Sequence, residues 1–197
     1  MRRSALANRE RILAAAEAVF GADGARGSTE DVAELAGVGI ATVFRHFPTK
    51  EQLIEATLVR HFHRLDEQAI QLAGDLDPDQ ALRELMATMI DTSATKLTLV
   101  SLVGERGEIP PPVREAAETL RATMDGILAR AKAAGAVQHD VTVDELFVLV
   151  RGLAQAAATL PLAPGTLSGA IEIVYRGLRP VSPARSEAAA SARESSP

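Results

Sequence analysis

The chain has no cysteine in its 197 residues. That excludes disulfides, thiolate zinc sites and cysteine nucleophiles, and it fits a reducing compartment. It also lacks any unbroken apolar run of about 18 residues, the length needed for a membrane-spanning helix, and its mean hydropathy is only +0.06. The opening "MRRSALANRERIL" leads into charged helix rather than an apolar stretch, so no cleavable export signal is expected. The expected location is therefore the cytoplasm, with no membrane partner.

Catalytic signatures are missing as well. No P-loop and no G-x-G-x-x-G following a strand can be found, and Ser101 near Glu105 is an isolated serine in an apolar segment. No catalytic residue and no cofactor is expected. In "HFHRLDE", His61 and His63 would lie about 200° apart on a helix and could not share an ion. His63 and Glu67 have the right spacing of four, but two ligands are too few for a zinc site. No metal is expected, and the segment reads as solvated helix surface.

What is present is helix. Apolar residues make up 47% and charged residues 24%, ordinary values for a globular protein, and no convincing alternating strand or internal repeat appears. The fold class read from this is all-α: an N-terminal three-helix head (1–48), a larger helical body (49–179) and a tail (180–197) whose Pro, Ser, Ala, Arg and Glu content predicts disorder. A first helix should carry Ile12, Ala16, Val19 and Phe20 on one face and stop at Gly21 or Gly24. Ser28 and Asp31 form a capping-box pattern ahead of "TEDVAELA", which Gly37 closes. A third helix is expected at about 39–46 before Pro48, and Thr49 or its neighbour should cap a fourth from about Lys50 to Ala73. Further helices are expected at about 78–96, 97–104, 111–134, 143–160 and 165–179.

The formal net charge of -5 looks unsuited to a nucleic-acid binder until its distribution is considered. Residues 1–65 hold nine Lys or Arg against eight Asp or Glu, while twelve bases face eighteen acids beyond. A mildly basic front end on an acidic body permits contact with phosphates at one end only.

"DVAELAGVGIATVFRHFPTK" has the proportions of a helix-turn-helix, in which a second, short helix enters the major groove. Ala33, four residues before Gly37, allows a close helix crossing. Val38, Val43 and Phe47 should point inward, leaving Gly39, Ile40, Thr42 and His46 facing out. The longer stretch "GSTEDVAELAGVGIATVFRHFPTKEQLIEATL" resembles the DNA-binding segment of the tetracycline-repressor (TetR) family over about residues 9–58. The resemblance implies that Thr29 and Lys50 hold phosphates and that Ile40, Ala41, Thr42 and His46 face bases, with helix N-terminal amides assisting. Many relatives have tyrosine where Phe44 stands, so only ring packing against the backbone remains there. Many have a hydroxyl residue at Gly39, which keeps its backbone amide alone. Arg45 is a further expected phosphate contact. Arg2, Arg3 and Arg9 are either an arm toward the minor groove or solvated terminal charge.

A short reader gains specificity by pairing two copies on successive half-sites, so a dimer surface should exist. In "VDELFVLVRGLAQAAATL", Leu146, Leu149, Val150, Leu153, Ala154, Ala157 and Leu160 spread over roughly 160°, broad enough to meet both the body and a partner. "LSGAIEIVYRGL" adds Leu167, Ile171, Val174, Tyr175 and Leu178. A four-helix homodimer interface, which the resemblance also implies, stands against a buried monomeric hairpin. Met86, Thr88, Met89, Thr92 and Thr95 are candidates for a pocket taking a small apolar or amphipathic effector; the alternative is core edge with threonines bonded to the preceding turn. Arg151, Gln155 and Thr159 read as the wet side of their helix. The expected function is a homodimeric transcription regulator, a repressor that binds double-stranded, near-palindromic operator DNA and is released by an effector. The alternative is a helical protein-interaction module.

Overall fold

The computed structural model describes residues 2–104 and 108–180, without the side chains of 2, 3, 93 and 94. The predicted tail, from residue 181 onward, lies outside the described residues. Among those described, every regular element is helical: α1 (Arg2–Asp23), a 3₁₀ turn (Gly24–Arg26), α2 (Thr29–Ala36), α3 (Ile40–His46), α4 (Lys50–Asp75), α5 (Pro78–Asp91), α6 (Ser93–Gly104), α7 (Pro111–Ala133), α8 (Val143–Thr159) and α9 (Thr166–Leu178).

Local chemistry sets most of the boundaries. Ser28 Oγ accepts from the Asp31 amide at 3.0 Å while the Asp31 carboxylate accepts from the Ser28 amide at 3.0 Å, a reciprocal cap on α2. Thr142 and Glu145 repeat the device at α8. Thr49 Oγ1 accepts from the Gln52 amide at 3.2 Å and starts α4. Asp77 Oδ1 accepts from two amides at the start of α5, with Pro78 in the first turn, where no amide hydrogen is needed.

Two boundaries differ from the sequence expectation. The α5–α6 break falls at Thr92 rather than near 96, and the Thr92 hydroxyl donates to the Thr88 carbonyl at 2.8 Å in the last turn of α5. Gly21 is not a stop but an interior residue of α1: a Cβ there would lie 2.9 Å from Thr95 Cγ2, so the missing side chain lets α6 approach. The end of α1 is left to Gly24, at φ +59°.

The long α4 is the spine. It packs along α7 most extensively and also against α1, α5 and α6, so one helix belongs to both the head and the body. Ile12, Phe20, Val32, Val43 and Phe47 are buried in the head, and Leu58, Leu65, Leu82, Leu85, Leu120 and Met124 in the body, within one continuous apolar cluster. Among the described residues no helix is long and apolar enough to cross a membrane.

Gly37 closes α2 at φ +61°, and a Cβ there would lie 2.8 Å from the Arg11 guanidinium, which donates to the carbonyls of Ala36 and Gly37. Gly37→Ala therefore meets both left-handed backbone strain and a collision with the group that caps α2. It should cost about 1–2 kcal/mol, read as a lower urea midpoint with an unchanged slope.

Candidate nucleic-acid interface

Burial sorts α3 into two faces. Val43 is 0% exposed and Phe47 is buried beside it, while Val38 is half-buried in the turn. Ile40 is 36% and Phe44 42% exposed, with Gly39, Ala41 and Arg45 also exposed; Thr42 and His46 are half-buried at the edge of the outward face. Two apolar side chains left in water on a seven-residue helix indicate a surface shaped for contact. Leu35, on α2, is exposed as well and does not join the core.

The expected phosphate contacts are less uniform. Arg45 reaches solvent at the end of α3. Lys50 Nζ, by contrast, donates to the Ala25 carbonyl at 3.0 Å and lies 5.5 Å from the Phe20 ring centre, so in the free protein it ties α4 to the 3₁₀ turn. Thr29 is buried and its hydroxyl donates to Glu30 Oε2 at 3.1 Å, with the Asp31 carboxylate on the same helix terminus. A phosphate approaching Thr29 would meet carboxylates already seated there. Arg9 lies 5.3 Å from the Phe47 ring centre and so packs on the head; the side chains of Arg2 and Arg3 lie outside the described residues.

The residue that sequence reading overlooked is Glu17. Its carboxylate, on the inner side of α1, lies 2.7 Å from Arg60 Nη1, 3.1 Å from Arg64 Nη1 and 2.9 Å from His61 Nδ1, all on α4. Arg60 Nε also reaches Glu10 at 3.0 Å. His61 is buried rather than solvated, and its Nε2 has no partner among the described residues. Burial alone would raise the Glu17 carboxyl, but the His61 hydrogen bond and charge, followed by Arg64 and Arg60, outweigh it and hold the group below its ordinary value of 4.5. The signal was available: Leu58, His61, Phe62 and Leu65 recur at helical spacing, which puts His61 on the buried face of α4.

The expected effector residues are mostly engaged in packing and hydrogen bonding. Met86 and Met89 are buried in the core, the Thr92 hydroxyl is bonded to the preceding turn, and Thr95 abuts Gly21 on α1. A cavity of about 530 Å³ instead lies between α4, α6, α7 and α8, walled by Leu58, Phe62, Val100, Val103, Ile109, Val113, Ala117 and Phe147. None of Met86, Thr88, Met89, Thr92 and Thr95 lines it. Helical periodicity marks which residues leave solvent but not which of them face a gap rather than each other.

The expected dimer residues also divide. Leu146, Val150, Ala154, Ile171, Tyr175 and Leu178 are buried within the single chain, where α8 and α9 pack on each other and on α5. The Tyr175 hydroxyl lies 2.7 Å from the Asp79 carbonyl and 2.8 Å from its carboxylate, and burial followed by Asp79 raises its ionisation above the ordinary range. These six side chains hold the hairpin to the body. Leu149, Leu153, Ala157, Leu167 and Val174 remain half-buried on its flank, and Val148, Leu160 and Ile173 are exposed.

A helical body carrying a helix-turn-helix whose second helix faces outward is the architecture of a DNA-binding transcription regulator. Residues 12–57 match the family described as bacterial regulatory proteins, tetR family, and residues 77–180 match the SbtR-like transcriptional regulator C-terminal domain. The chain belongs to the TetR family of transcriptional regulators. It is 30% identical to a TetR transcriptional regulator from Streptomyces coelicolor, covering 88% of this chain and 99% of that one with a TM-score of 0.76. It is also 36% identical over 92 residues to the transcriptional regulator LuxR of Vibrio harveyi, covering 45% of this chain and 42% of that one. With the transcriptional repressor LfrR of Mycolicibacterium smegmatis it shares 40% identity over 85 residues, 42% of this chain and 44% of that one. The chain thus spans under half the length of these two curated relatives.

Because the folded value of Glu17 is lowered, its stabilisation is present above pH 4.5 and is lost as pH falls through the folded value. Glu17→Gln should cost about 1–3 kcal/mol near pH 7. The gap between parent and variant in urea unfolding should shrink as pH is lowered past 4.5.

Proposed function

We propose that this protein is a homodimeric repressor that lays two copies of α3 into successive major grooves of a near-palindromic operator and is released when a small molecule fills the cavity in its body. It would act in the cytoplasm, where the operator is. The observation that carries the reading is the division of α3: Val43 and Phe47 are held inward while Ile40, Ala41, Phe44 and Arg45 stand in solvent. Thr42 and His46 flank that face and supply hydroxyl and imidazole groups for base edges. Arg45 is the phosphate anchor. Lys50 joins it only after leaving the Ala25 carbonyl, and the Thr29 hydroxyl only after turning from Glu30, so those two contacts couple DNA binding to rearrangement of the head. Gly39 contributes backbone alone, and the Phe44 ring packs on the sugar-phosphate chain.

Pairing follows from the exposed side of the α8–α9 hairpin. Val148 is 71% and Ile173 64% exposed, and Ile173 has Gly169 and Gly177 one turn away on either side, which lets a facing helix come close. With Leu149, Leu153, Ala157, Leu160, Leu167 and Val174 this forms the apolar face that a second copy covers. Release requires the effector to bind the form with mismatched half-site spacing more tightly than the DNA-bound form, since equal affinity shifts nothing.

Selection of bound fragments from random duplex DNA with the purified protein should enrich an inverted repeat. Enrichment of nothing above background would favour the protein-interaction module instead. Arg45→Ala should weaken specific and nonspecific binding alike and lower the slope of log affinity against log salt by about one, whereas Thr42→Ala should chiefly relax sequence preference. Ile173→Glu should convert dimer to monomer in sedimentation at micromolar concentration; an unchanged dimer would remove the α8–α9 face from the interface.

A further inference from the structure

The outward face of α3 is apolar at the end that leads into the groove. A recognition helix reads base edges chiefly with its N-terminal residues, and here these are Gly39, Ile40, Ala41 and Thr42. None carries the paired hydrogen-bonding groups with which Arg or Lys reads guanine and Asn or Gln reads adenine. The basic side chains of α3, Arg45 and His46, stand in its last turn. Ile40 and Phe44, one turn apart, are 36% and 42% exposed and make an apolar ridge, with Ala41 exposed beside it. Nothing in the fold demands the glycine ahead of them: Gly39 has an ordinary φ of -70°, and a Cβ there would meet no atom within 4 Å. Its bare backbone leaves Ile40 free to approach the groove floor closely.

We infer that Ile40 and Ala41 read thymine through its C5-methyl group, so that each operator half-site carries thymine beneath the first turn of α3. This rests on the proposed operator binding and adds the chemical feature that is recognised. In the major groove the thymine methyl is the one apolar substituent that a base pair presents, the groups beside it being hydrogen-bond donors and acceptors. An aliphatic side chain pressed on those polar groups would strip them of water and give no bond in return. Against thymine it buries a methyl instead. Cytosine, the other pyrimidine, has no methyl at that carbon. Thr42, half-buried at the edge of the face, presents both a hydroxyl and a methyl and is compatible with any neighbouring base. Phe44, one turn further along, keeps to the sugar-phosphate chain.

The test uses the full chain and the inverted repeat enriched from random duplex DNA. Deoxyuridine, which keeps the hydrogen-bonding edge of thymidine without its methyl, replaces the half-site thymidines one at a time. At one position per half-site affinity should fall about four-fold, and about fifteen-fold when both half-sites are changed together. A C·G pair at that position should also bind more weakly, and 5-methyl-deoxycytidine there should recover about four-fold of the loss. Ile40→Ala should bring the thymidine and deoxyuridine duplexes within about two-fold of each other, while Ile40→Leu should keep the difference. Neither variant should change affinity for unrelated duplex DNA, which phosphate contacts set. An enriched repeat that tolerates deoxyuridine at every half-site position, or whose sensitivity to deoxyuridine survives Ile40→Ala, overturns the thymine assignment and leaves operator binding intact. Failure to enrich any repeat overturns operator binding itself, and this assignment with it.

Discussion

The head and the body are joined by a charge that neither could hold alone. Glu17 sits on the inner side of α1, where a lone carboxylate would be strongly disfavoured, and it is tolerated because Arg60, His61 and Arg64 project toward it from about one turn of α4. Removing the α4 partners would leave the largely buried Glu17 carboxylate without compensation, so the α1–α4 crossing is specified by geometry as well as by apolar burial. Gly21 adds a second constraint, since only a missing side chain lets Thr95 of α6 press against α1. The orientation of α3 follows from these contacts through α1 and α2: the Arg11 guanidinium holds the turn between α2 and α3 by its carbonyls, and Val43 and Phe47 lock α3 from below.

This arrangement is the physical basis of the proposed coupling between body and head. The cavity is bounded by α4 and α6, and the same two helices grip α1. Under the proposed release, a ligand that shifted either wall would bear on the α1–α4 crossing at the Glu17 cluster and on the α1–α6 crossing at Gly21, where there is no room for even a Cβ beside Thr95. Lys50 sits at the junction as well, since it opens α4 and holds the Ala25 carbonyl. Two global states that differ in that crossing would place α3 differently, which is the physical content of effector release.

Much of the fold was legible in the sequence because it is written in short-range chemistry. The Ser28–Asp31 cap, Gly37, Thr49 and Pro78 act within a turn of where they stand, and the apolar period of each helix needs only its own segment. The inward set of Val38, Val43 and Phe47 was readable for the same reason. The pocket was not. Met86 and Met89 carry the side chains of an adaptable wall, yet other helices fill the space beside them, whereas Phe62, Val103 and Phe147 come from three segments that no local pattern connects. For the hairpin, the broad apolar arc was visible, but which part the body would bury, Tyr175 with Asp79 included, depended on α5.

The amino-acid sequence by itself determined an all-helical chain with a helix-turn-helix head, because helix period and capping are local properties; of the outward set it named on and before α3, Gly39 and Ile40 are exposed and Thr42 and His46 are half-buried. Only the tertiary structure decided that Glu17 and His61 meet inside the protein, that Lys50 and Thr29 are engaged at home, that the gap lies between α4, α6, α7 and α8, and which half of the α8–α9 hairpin remains open. Apart from the local Thr29–Glu30 bond, those outcomes depend on how separate helices are placed against one another, Glu17 and His61 being 44 positions apart and Ala25 and Lys50 25. Close packing settles that placement collectively, and no single segment encodes it.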